Sequence, residues 1–98
     1  MGMDYKFAGS ASYPRFNEEL REVAKIFGGT KPDKFIFPDG TNEILVKWFN
    51  DIYGDFTVEE TKIVWEHISQ HPEIKDISNQ IWHELEFLTN IDEEWNIW

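Results

Sequence analysis

His67 and His71 stand four residues apart, a spacing that puts two imidazoles on one helical face and can hold zinc. His83 with Glu84 would be the natural additional ligands. The protease form His-Glu-x-x-His is absent, because Ile68 follows His67. His71 also precedes Pro72, where a histidine at a helix C-terminus suits the dipole without any metal. The ligand set is incomplete, and no metal is expected. Carboxylate pairs recur at Glu18-Glu19, Glu59-Glu60, Glu84 with Glu86, and Asp92-Glu93-Glu94. General acid catalysis needs such a carboxyl in an apolar pocket. Most of these acids fall on the solvent faces of the helices read below.

The chain has no cysteine, so it lacks a thiol nucleophile, a disulfide framework and a Cys-based zinc site. No Ser-His arrangement and no Gly-rich phosphate loop occur. Gly28-Gly29 follows a helical stripe rather than a strand, unlike a dinucleotide fingerprint. The expectation is a protein that is not an enzyme and carries no cofactor.

Charge is the stronger signal. Residues 1–48 carry seven acids and seven bases, whereas residues 49–98 carry twelve acids against Lys62 and Lys75, a net of -10. Beyond Lys75 there is no lysine or arginine. Clustered cations are what phosphate contacts require, so direct nucleic-acid binding is not expected. Anionic lipid is repelled likewise, and no apolar run approaches membrane-spanning length. An acidic surface attracts basic proteins. The lack of cysteine, and of a basic or apolar leader after Met1, favours a cytoplasmic home.

The elements that must position these residues follow from periodicity. At 98 residues, with 41% hydrophobic and 16% aromatic content, the chain reads as one domain with one core. Tyr5–Ala8 alternates like a short strand, Lys34–Phe37 reads as a second short strand, and the two can pair with each other. Gly9–Ser12 reads as a loop. Pro14 opens a helix whose stripe is Phe16, Leu20, Val23, Ala24 and Phe27, stopped by Gly28-Gly29. Thr41 or Asn42 caps a second helix with Ile44, Leu45, Trp48, Phe49 and Ile52 inward, ending at Gly54. A strand over Glu43–Val46 is the alternative; the length of the stripe favours helix.

Thr57 and Glu60 form a capping box before a third helix with Ile63, Val64 and Ile68 inward. Pro72 opens a fourth with Ile74, Ile77, Ile81, Leu85 and Leu88, and the spacing continues through Ile91, Trp95 and Trp98. One long helix and a helix with a docked tail remain alternatives. The fold class is mainly α (α+β): a small four-helix domain with a short two-stranded β element in its N-terminal half.

Ile68-Ser69-Gln70-His71-Pro72 resembles the end of the second helix in the immunity proteins of DNase-type colicins, which are likewise small, acidic and four-helical. Their tyrosine-rich third-helix motif has no counterpart in Lys75-Asp76-Ile77-Ser78. The resemblance spans five residues and assigns no roles.

The functional expectation is an acidic protein-binding module. It would be a stoichiometric inhibitor or immunity-type protein, bacterial or phage-encoded, covering a basic toxin or nucleic-acid-handling enzyme. Its partner-binding residues are expected to be Glu84, Glu86, Asp92, Glu93, Glu94, Trp95 and Trp98, the tryptophans as anchors and the acids as guides. The acids are too sparse for a strict imitation of duplex phosphates. The alternative is a helical adaptor or self-associating module whose acidity serves solubility.

Overall fold

In the computed structural model, which describes residues 2–97, the chain opens with an antiparallel hairpin of β1 (Gly2–Asp4) and β2 (Ser10–Ser12). Met3 pairs with Ala11 and both side chains point inward, while their strand neighbours stay exposed. Gly2 lies so close to the Ala11 carbonyl that a Cβ there would overlap it. The pairing differs from the expected one. Tyr5–Ala8 is the hairpin loop rather than a strand, Ser10–Ser12 is a strand rather than a loop, and the partner segments lie on either side of that loop.

Ser12 ends β2 and caps α1 (Tyr13–Ile26), its side chain accepting from the Arg15 N–H at 3.3 Å. Phe16, Leu20, Val23 and Ala24 form the buried stripe, and Phe27 is half-buried. The helix stops where Gly28 takes a φ of +80°, and the Gly29 N–H turns back to the Ala24 carbonyl at 2.8 Å.

Residues 34–37 do not form a strand. Their one bridge is Thr30 to Ile36. The Asn50 side chain takes the place of a neighbouring strand: its Oδ1 accepts from the Phe35 N–H at 2.7 Å and its Nδ2 donates to the Phe35 carbonyl at 3.1 Å.

Asn42 caps α2 (Glu43–Asn50) by accepting from the N–H groups of Ile44 and Leu45. The capping box at Thr57 and Glu60 opens α3 (Val58–Ile68), both bonds being formed. The expected fourth helix is two. A short α4 (Ile74–Ile77) ends at Ser78, whose extended backbone breaks the helix and whose side chain caps α5 (Asn79–Asn90). The four-helix expectation is therefore corrected to five helices among the described residues, with the mainly α plus β character retained.

The buried side chains form one core, with Trp48, Trp95, Phe16, Phe49 and Phe56 its largest members. Ile77, expected to be buried, is only half-buried against this core. No helix among the described residues is long and apolar enough to cross a membrane.

Candidate protein-binding surface

Helix α5 sorts its residues by period. Ile81, Leu85 and Leu88 face the core. Glu84 falls three after Ile81 and four before Leu88, so the same stripe carries a carboxylate inward. Glu84 is only 1% exposed. Burying a charge is costly unless hydrogen bonds satisfy it, and the hairpin loop supplies them. The Lys6 N–H donates to Oε2 at 2.7 Å, and the N–H groups of Phe7 and Ala8 donate to Oε1 at 3.0 and 2.9 Å. Three successive amides make a small anion-binding nest. Burial still holds the Glu84 carboxyl above its ordinary range, with the three amides and Lys6 pulling the other way.

One turn earlier, Gln80 Nε2 donates to the carbonyls of Ala8 and Ser10 at 3.0 and 2.9 Å. Helix α5 thus grips the loop by its donors through Glu84 and by its acceptors through Gln80. Glu84 is expected from sequence to meet a partner; the structure corrects this, because the residue is buried and both of its carboxylate oxygens accept backbone N–H groups inside the molecule.

Trp95 is corrected in the same way. It is 0% exposed, and its indole packs edge-on against Trp48 at 5.2 Å and Tyr5 at 6.1 Å. Its Nε1–H donates to the Ile52 carbonyl at 2.9 Å, and its backbone N–H donates to Thr61 Oγ1 at 2.9 Å. Thr61 in turn donates to the Thr57 carbonyl. The segment after α5 is a clasp closing the core, not an exposed anchor. Helix α5 cannot run into it, because Asp92 takes a φ of +57° and the Glu93 N–H closes back on the Leu88 carbonyl at 2.9 Å. Trp98 lies outside the described residues.

The remaining acids are on the surface. Asp92, Glu93 and Glu94 are exposed and Glu86 is half-buried. Asp92 pairs with Lys62, Glu93 with Lys6 at 3.4 Å, and Glu86 lies 3.7 Å from His83. Glu94 has no basic partner for its carboxylate among the described residues.

What the sequence reading missed sits beside these acids. The loop that Glu84 holds turns Phe7 outward, edge-on to Phe87 at 4.9 Å, and the two rings are 51% and 45% exposed. Ile91, four residues after Phe87 and expected to be inward, is 43% exposed. Phe7, His83, Glu84, Glu86, Phe87 and Asn90 line an open cleft of about 390 Å³ here. A sequence signal for it existed: Phe87 lies two residues past Leu85, off the buried stripe. By contrast, Trp65 and Trp82 pair edge-on at 4.9 Å and are both half-buried, so no described tryptophan is free.

The histidines do not converge. Helix α3 ends at Ile68, and His71 packs edge-on against Phe27 at 5.0 Å. Among the described residues no group of three or more His, Asp or Glu side chains is placed to hold a metal.

No protein-family model matches the chain, and no curated protein or solved structure shows significant similarity to it.

Proposed function

We propose that this chain is an acidic protein-binding module that covers a basic surface of another protein, such as a toxin or a nucleic-acid-handling enzyme, and inhibits it stoichiometrically. The observation that supports this reading is the exposed, edge-on Phe7–Phe87 pair in a cleft that Glu86 also lines, with exposed Ile91 and the exposed Asp92–Glu94 run following α5. Apolar side chains at the centre of a patch provide affinity when water is excluded from them. The acids around them provide encounter rate and orientation. The anchor role first given to Trp95 passes to Phe87 and Phe7.

The test is affinity capture followed by kinetics on the captured protein. The wild type should retain a basic protein that the Glu86→Lys/Glu94→Lys variant loses, and the association rate should fall steeply with salt. Equal retention by both, with salt-insensitive rates, would contradict the reading.

A second reading is a helical adaptor whose acids serve solubility. It is favoured by the spread of acids over several elements, with Glu59 and Glu66 on α3, Asp76 on α4 and Glu86 on α5, and by the pairing of Glu60 with Lys47 and Asp92 with Lys62. On that reading, the charge-reversed variant loses solubility and no partner.

A further inference from the structure

Deepening the binding reading above, we infer that the Phe7–Phe87 cleft receives one large apolar side chain from a cationic segment of the partner, whose neighbouring Lys or Arg side chains meet Glu86 and the Asp92–Glu94 run. The size of the cleft sets the first constraint. At about 390 Å³ it is near the small end of ligand pockets, roughly 300–1,000 Å³. It is open rather than enclosed, and its two aromatic walls stand half out of water. That shape accepts an anchoring side chain from a larger body.

Charge sets the second constraint. Asp92, Glu93 and Glu94 follow Ile91 directly, and Glu86 precedes Phe87. The bases at this rim are already engaged: Lys62 pairs with Asp92, Lys6 with Glu93 and with the Glu94 carbonyl at 3.1 Å, and His83 lies 3.7 Å from Glu86, which leaves the Glu94 carboxylate without a basic partner among the described residues. A partner segment bearing cations is attracted here, whereas phosphate or anionic lipid is repelled.

A second copy of the chain is the poorer occupant. A two-fold interface sets the same patch against itself. Glu86 and the Asp92–Glu94 run would then face their own duplicates, on chains that each carry a net charge of -10.

The architecture fits an anchor site in one further way. Phe7 is not on a free loop. Its backbone N–H is one of the three held by Glu84, and the carbonyls of Ala8 in the loop and Ser10 at the start of β2 are held by Gln80. Both aromatic walls are fixed to α5, so little conformational entropy is lost on binding.

The probe is a synthetic amphipathic peptide of about 14 residues built from Leu on one helical face and Lys on the other. A control peptide has each Leu replaced by Ser. Calorimetric titration of the whole chain should give one Leu/Lys peptide per chain, with affinity falling as salt rises. The Phe87→Ser and Phe7→Ser variants should each bind about tenfold more weakly while still folding cooperatively, since both rings lie outside the core and stand half out of water. The Glu59→Gln/Glu66→Gln variant, altered on acids that do not line the cleft, should bind like the wild type.

Equal binding of the Leu-free peptide, or unchanged binding by Phe87→Ser, would overturn the cleft as the anchor site and leave a charge-driven partner surface standing. Absence of salt-dependent binding by either peptide would overturn both. Sedimentation showing a dimer that Phe87→Ser abolishes would assign the cleft to a second copy and overturn the inference.

Discussion

Phe87 and Trp95 are eight residues apart in the most acidic part of the chain, and the fold treats them oppositely. Trp95 is fully buried, with its indole and backbone N–H groups both satisfied inside the molecule. Phe87 is nearly half exposed and touches another exposed ring. The same contrast separates Glu84, locked to three backbone amides, from Glu86, which lies at the rim of the cleft. Acid-and-aromatic composition therefore does not mark a binding surface by itself. Position relative to the helical stripe decides which members build the fold and which stay at the surface.

The largest expected effect separates the two aromatic residues. Trp95→Ala should destabilise the protein by about 3–5 kcal/mol, a large share of a typical total of roughly 5–15. Phe87→Ser should cost only about 1–2 kcal/mol, for the half of the ring that is buried and its contact with Phe7. Chemical denaturation of the two variants checks this, and similar losses in both would erase the division.

Next comes the carboxylate pair. Glu84→Ala orphans the N–H groups of Lys6, Phe7 and Ala8, an expected cost of roughly 3 kcal/mol. Hydrogen exchange at those three amides should accelerate in the variant. Glu86→Ala should leave the exchange of all three unchanged.

A smaller effect is a pH dependence carried by Glu84. Its carboxyl is raised from the ordinary 4.5, chiefly by burial. On raising the pH, the unfolded chain releases this proton first, so the native state binds more protons across the interval. Stability from this group is therefore full at low pH. It falls as pH rises from the ordinary glutamate range through the raised folded value. Glu60 runs the other way. The Thr57 N–H, then Lys47, hold its carboxyl below 4.5, so its contribution is present above that value and lost as pH falls through the lowered one. Denaturation curves of wild type and Glu84→Gln across this range isolate the first slope. The difference should shrink the pH-dependent fall in the variant, and parallel curves would contradict the assignment.

The smallest effect is ionic. Added salt at neutral pH should raise the melting temperature modestly, because screening relieves repulsion among the acids of residues 49–98. A fall would show that pairs such as Lys47–Glu60 and Lys62–Asp92 outweigh that repulsion.

The helices were legible where capping and period agreed. The Thr57–Glu60 box and the stripe from Phe16 to Ala24 stand as read, and of the two cap candidates Thr41 and Asn42 the structure uses Asn42. The break at Ser78 was not, because Ile74, Ile77 and Ile81 keep helical spacing straight across it. The N-terminal strands were misplaced for a different reason. Tyr5–Ala8 alternates like a strand, yet three of its amides go to Glu84, seventy-six or more positions away in sequence. No local pattern reports so distant a partner. The burial of Glu84 was readable in principle from its place among Ile81, Leu85 and Leu88; its charge argued for the surface, and the nest that offsets that charge lies on another element.

The most direct measurement of this division between clasp and cleft is an NMR titration of the isotopically labelled chain with the Leu/Lys peptide. Shift changes confined to Lys6–Ala8, His83–Asn90 and Ile91–Glu94, with the Trp95 indole N–H signal unmoved, are the predicted result. Movement of the Trp95 indole signal, or changes centred on α1 with residues 83–94 silent, would contradict it.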